Sequence, residues 1–109
     1  MSVCTVFVRI IPLPGHRDAT RELILELLPQ IRTLPGCEEY RLFDAVTGEL
    51  MLSERWSTRE QWQAHFEAAP IQRLKTELAD KVELPVERSE TYEAPPQPEG
   101  IGSPTAPKR

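Results

Sequence analysis

Apolar residues alternate with polar ones in some stretches of this chain and recur at helical spacing in others. Val3 to Ile11 reads VCTVFVRII, with Val6, Val8 and Ile10 on one face and Phe7, Arg9 and Ile11 on the other. Apolar residues on both alternations predict a strand covered on both sides. Pro12-Leu13-Pro14-Gly15 ends it, because proline cannot donate to a ladder. Asp18 is placed to cap a helix whose apolar row is Ile24, Leu27, Leu28, Ile31 and Leu34. Pro29 removes one backbone bond from that helix, which predicts a kink near Leu25 to Leu28 or two short helices in series. After Pro35-Gly36, Cys37 to Asp44 and Glu49 to Ser57 read as two strands joined through Ala45-Val46-Thr47-Gly48, an antiparallel hairpin. In the second arm Leu50, Leu52, Glu54 and Trp56 share a face, and Met51, Ser53 and Arg55 share the other.

The next stretch, ERWSTREQWQAHFEAA from Glu54 to Ala69, leaves the strand and opens a helix. Ser57 or Thr58 can cap it, with Glu60 or Gln61 three residues on to complete a capping box. Trp62, Phe66 and Ala69 fall on one helical stripe and His65 on its flank, so a titratable ring is expected at the edge of an apolar surface. A third helix is predicted from Pro70, with Ile71, Leu74, Leu78 and Val82 as its apolar row. Val82 to Tyr92 then reads as a last strand, and Pro85 within it predicts an edge or a bulge.

Strand, helix, strand, strand, helical pair, strand is the order of an α+β, ferredoxin-like split βαβ domain, an antiparallel sheet with helices on one face. It spans residues 1–93. Residues 94–109 carry Pro95, Pro96, Pro98, Pro104 and Pro107 and few apolar side chains, the composition of an extended or disordered tail. The sheet face away from the helices also reads as apolar, through Phe7 and Ile11. An uncovered apolar face marks an interface, so sheet-to-sheet packing of two copies is expected.

Charge narrows the choice of partners. Asp and Glu number 17 against 13 Lys and Arg, a net charge of −4, and the positive residues are scattered among carboxylates. Nucleic-acid binding demands a basic patch, which is not written here. The longest apolar run is interrupted by Arg9 and falls short of a bilayer span, and the first residues carry no secretion-signal pattern, so a cytoplasmic protein is expected. Cys4 and Cys37 have no metal-type spacing, begin strands that are not neighbours in this fold, and are expected as reduced thiols. With two histidines they make a poor zinc set, and no metal site is expected. Walker, GxGxxG, GxSxG, HExxH and EF-hand patterns are all missing.

Two charged residues stand where apolar ones would be cheaper. Arg9 either ends in solvent, in a surface ion pair, or projects into a polar pocket. Glu54, between leucines and a tryptophan, must be paired, protonated or near the sheet's edge, since burying an unpaired charge is expensive. An ion pair with an arginine is its plainest reading. The plain reading of His65 is a ring that caps a neighbouring carbonyl or packs under Trp56.

Together these residues resemble the antibiotic biosynthesis monooxygenase (ABM) domain, a dimeric α+β barrel, over about Val3 to Tyr92. The resemblance rests on Pro14-Gly15 after the first strand, Pro35-Gly36-Cys37 and Tyr40 opening the second, Glu54-x-Trp56 ending the third, and His65 within Ala64-His65-Phe66. It implies a homodimer. Members include quinol and polyketide-phenol oxygenases, haem-degrading enzymes and isomerases of signalling molecules, and several oxidise an electron-rich substrate with O2 and no cofactor. On that pattern His65 would be the general base, Trp56, Trp62 and Phe66 would flank a small aromatic or quinol-like substrate, and Tyr40, Glu54 or Arg9 would orient it. A non-catalytic small-ligand-binding dimer and an isomerase are the alternatives. Two departures qualify the match. Pro70 stands where many members carry a second histidine. Val8 and Lys75 stand where haem-degrading members carry an asparagine and the haem-ligating histidine, which disfavours haem degradation.

Overall fold

The computed structural model describes residues 2–95. Its elements are β1 (Cys4–Ile10), α1 (Arg17–Ile31), β2 (Cys37–Asp44), β3 (Leu50–Trp56), α2 (Arg59–His65), α3 (Ala69–Leu78) and β4 (Glu87–Thr91). All pairings are antiparallel, and the sheet order is β2-β3-β1-β4. This is the predicted α+β, ferredoxin-like arrangement, with β1 and β3 at the centre. The tail lies outside the described residues from 96 onward.

The alternation along β1 sends Cys4, Val6, Val8 and Ile10 to the helical side, where all four are buried. Leu50, Leu52, Glu54 and Trp56 do the same from β3. Against them α1 presents Ile24, Leu27, Leu28 and Ile31, while α3 contributes Ile71 and Leu78. Each fully buried aliphatic side chain contributes roughly 1.5–3 kcal/mol, so this layer is the main hydrophobic core of the described residues. The outer face differs from its expected apolar character. Phe7 and Phe43 are about half exposed there, but the paired residues Arg9 with Glu49 and Arg55 with Glu38 and Glu39 surround them.

Several local expectations need correction. α1 begins one residue before Asp18, and His16 takes the N-cap position without a side-chain bond. Pro29 neither splits nor ends α1 at Leu28; it sits in the last turn, where only one bond is forfeited before the helix stops at Ile31. Leu34 therefore lies beyond the helix. Val82 leaves the α3 row and bridges to Pro12 instead, and β4 starts only at Glu87, past Pro85. As the edge expectation required, β4 pairs only with β1.

The entry to β2 decides which side of the sheet Tyr40 occupies. Ser57 N–H donates to the Gly36 carbonyl at 2.8 Å, fastening the end of β3 to the start of β2. Cys37 then faces Trp56, while Glu39 faces Arg55, so Glu38 is the extra residue of a β-bulge. The bulge reverses the alternation, and Tyr40 faces Glu54 on the buried side.

Candidate functional site

α2 is short, and its start is set by side chains. Thr58 accepts a hydrogen bond from the Gln61 backbone N–H at 3.1 Å, and the Thr58 hydroxyl lies 3.2 Å from Gln61 Oε1. This is the capping pair that the sequence offered. One turn later His65 enters the space above β3. It is 6% exposed, at the centre of the buried face of α2 and not at its flank, whereas Phe66 is half-buried and Ala69 is exposed.

The imidazole is held on three sides. Its Nδ1 contacts the Trp62 carbonyl oxygen. A carbonyl can only accept, so Nδ1 carries the proton and Nε2 keeps the basic lone pair. The Trp56 ring lies 4.5 Å from the imidazole between centroids and the Phe66 ring 4.4 Å, both tilted. Both plain readings of this histidine, carbonyl capping and packing against Trp56, thus describe its surroundings, and they leave Nε2 available.

Nε2 faces a carboxyl group. Glu54 Oε1 is 3.9 Å from it and accepts the Trp56 indole N–H at 3.0 Å. Glu54 is neither at an edge nor in the arginine ion pair expected of it: β1 and β2 flank its strand, and Arg88 of β4 acts on it only through space. Burial raises the Glu54 pKa to about 7, against the opposing pull of the Trp56 N–H and the Arg88 charge. Burial likewise lowers the His65 pKa, with the Arg88 charge adding to the effect and the Trp62 bond opposing it. The Tyr40 phenol is pushed well up, first by burial and then by the neighbouring Glu54. A buried acid and a buried base therefore both favour their neutral forms.

Of the residues singled out in the sequence, Glu54, Trp56, Trp62, His65 and Phe66 come together under α2. Trp62 meets Phe66 edge-on at 5.5 Å, and its indole N–H finds no acceptor among the described residues. Tyr40 adjoins Glu54 across the sheet but borders a different groove, at the β2 edge with Arg32, Cys37 and Arg41. Arg9 does not join the cluster. It lies on the outer face, donating from Nε and Nη2 to both oxygens of Glu49.

A hollow of about 300 Å³ opens beside His65, lined also by Leu34, Pro35, Gln61, Ala64, Glu67 and Ala68. That volume is at the lower end for a small-molecule site. Sequence reading missed these lining residues because they come from three places, the turn after α1, α2 itself and the turn after α2. It also missed Arg88, whose guanidinium carbon sits 5.3 Å from the Phe66 ring centre. Its strand, ERSET, carries no apolar signal that would mark an inward face.

The comparisons agree with this architecture. Rv0793 of Mycobacterium tuberculosis, provisionally a monooxygenase, is 28% identical over 86 residues, covering 78% of this chain and 85% of its own. Its solved structure superposes with a TM-score of 0.79, at 26% identity over 90% of this chain and 99% of that one. PA3566 of Pseudomonas aeruginosa shares the fold at a TM-score of 0.79 and 18% identity, over 87% of this chain and 97% of its own. A sequence profile described as antibiotic biosynthesis monooxygenase matches residues 4–77, and the chain belongs to that family.

Proposed function

We propose that this protein is a cofactor-independent monooxygenase of a small phenolic or quinol-type compound, working as a cytoplasmic homodimer with His65 as general base. The observation that carries the reading is the setting of His65. It is a buried imidazole with Nδ1 engaged and Nε2 available, packed between two aromatic rings and bordering an apolar hollow. Family membership supplies the reaction class. In this reading Nε2 takes the phenolic proton, and the resulting phenolate is electron-rich enough to reduce O2. One oxygen atom enters the ring and the other leaves as water, so a hydroquinone plus O2 gives a hydroxyquinone plus water.

The aromatic residues serve this chemistry by excluding water and presenting flat apolar surface. Phe66, half-buried, packs against the His65 ring, and Trp56 and Trp62 are buried deeper; none of the three lines the hollow itself, so they act by backing His65. The test is a panel of hydroquinones incubated under air and under argon with the protein and with His65→Ala. Oxygen-dependent turnover that falls at least about 100-fold in the variant is expected. Equal traces with and without oxygen, or an unchanged rate in His65→Ala, would remove the reading. The deep burial of His65 favours one alternative, a non-catalytic dimer that holds a small apolar ligand. Saturable binding with no turnover would establish that instead, and product without oxygen uptake would indicate an isomerase.

A further inference from the structure

We propose that Glu54 and His65 form one buried proton-holding pair, in which Glu54 never touches the substrate but decides when His65 can accept its proton. The inference rests on the monooxygenase reading for its catalytic meaning and on geometry for its existence. The two side chains are each 4% exposed, with Glu54 Oε1 and His65 Nε2 3.9 Å apart. Both are fixed by their other bonds, Glu54 through the Trp56 indole N–H and His65 through the Trp62 carbonyl. Both side chains are buried together, so little water lies between them to screen their charges.

Proton counting gives the consequence. With no titratable proton, the pair is carboxylate plus neutral imidazole. One added proton resides on either partner, as carboxylic acid with imidazole or as carboxylate with imidazolium. Accepting a phenolic proton at Nε2 moves the pair from carboxylate with neutral imidazole to carboxylate with imidazolium, and the carboxylate offsets the new imidazolium charge. If Glu54 already holds the proton, the same transfer would leave an unpaired imidazolium in a buried site, beside the Arg88 charge. The competent state is therefore the fully deprotonated one, populated as pH rises through the Glu54 transition at about 7.

Other groups act on the pair from the neighbouring strands. From β2, Tyr40 and Cys37 face Glu54, and burial together with the Glu54 charge raises the pKa of both, which favours their neutral forms beside the pair. From β4, Arg88 favours the carboxylate and disfavours the imidazolium. The burial of Glu54 behind Trp56 also explains why a residue suited to orienting a substrate does not border the hollow.

The experiment follows the His65 ring nitrogens by 15N NMR and the Glu54 carboxyl by 13C NMR, across pH 4 to 9, in the unmodified protein and in Glu54→Gln. Gln keeps an oxygen for the Trp56 indole but cannot hold the proton. A shared upper transition near the Glu54 value is expected at both nuclei in the unmodified protein, leaving only the lower His65 step in Glu54→Gln. The ascending limb of the pH–rate profile should disappear with it. Separate midpoints in the unmodified protein, needing no variant, would overturn the pair and leave His65 as a lone base. Coupled midpoints without quinol turnover would keep the pair and defeat the oxygenase reading.

Discussion

Glu54 makes stability depend on pH in a direction opposite to that of most carboxylates. Its folded pKa, about 7, lies above its ordinary value of 4.5, so the fold favours the protonated form. The stability it contributes is complete below about pH 4.5 and is lost as pH rises through 7. His65 works the other way: its pKa is lowered, so its contribution is present above 6.5 and is lost as pH falls through the folded value. Urea denaturation of Glu54→Gln at pH 5 and pH 8 should show the variant gaining on the unmodified protein at the higher pH. A constant difference would mean that Glu54 is ionised in the fold. Trp56→Phe removes the N–H that stabilises the carboxylate and should move the Glu54 13C midpoint further up. Gly36 is a second residue with little freedom. Its φ of +81° lies in the left-handed region, and a Cβ there would run into the Gln61 side chain. Gly36→Ala should cost at least about 1–2 kcal/mol from the backbone alone. Adding Gln61→Ala should recover only the part of the contact made by the amide end, because the Gln61 Cβ would also lie 2.7 Å from the added Cβ, and should leave the backbone term, as a pair of thermal melts would resolve.

At the scale of elements, α2 is a seven-residue helix, too short to persist alone. It is stabilised by Thr58 at its start and by Trp62 and His65 pressed onto the sheet. Thr58→Ala should therefore cost about 1 kcal/mol, and on the proposed oxygenase function turnover should fall with it, because His65 sits at the other end of the same short helix. Thr58→Asp, which restores an acceptor, should recover both. The β2 bulge plays a comparable part across the sheet. Tyr40 reaches the buried face only because Glu38 is looped out, where it accepts from Arg55 and Ser57. A regular ladder with Glu38 paired to Arg55 would instead bring Glu39 opposite Glu54 and turn Tyr40 outward, opposite Ser53.

For the whole molecule, the two sheet faces divide the work. The helical face encloses His65, whereas the outer face presents Phe7 and Phe43 with Met51 between their strands. Two copies joined through those outer faces would leave each His65 on the far side of its own sheet. The hollow beside it would then belong to one protomer and not to the space between sheets. On the homodimer reading, Phe7→Asp should halve the mass measured by light scattering while leaving His65 near its original chemical shift. A protein already monomeric at micromolar concentration, or a His65 signal that moves with the mass, would contradict that division.

Hydrophobic period and turn chemistry were sufficient for the element order, the antiparallel hairpin and the α+β class, because each depends on neighbours in the chain. Glu54, Trp56 and His65 could likewise be singled out, since a carboxylate in an apolar strand and a histidine on an amphipathic helix are locally costly choices. Their relation was not written there. The 3.9 Å between Glu54 and His65, the separation of Arg9 from both, and the approach of Arg88 each depend on which strands pair and in what register. Cys4 and Cys37 show the same limit. Both lie opposite Trp56 on its two sides, which at about 4.8 Å per strand sets them roughly 10 Å apart, too far for a disulfide. Alternation assigns a face only while the ladder is regular, and one extra residue at Glu38 reversed it for Tyr40. Local patterns thus identify which residues are costly to bury, while packing between distant segments decides which of them share a proton.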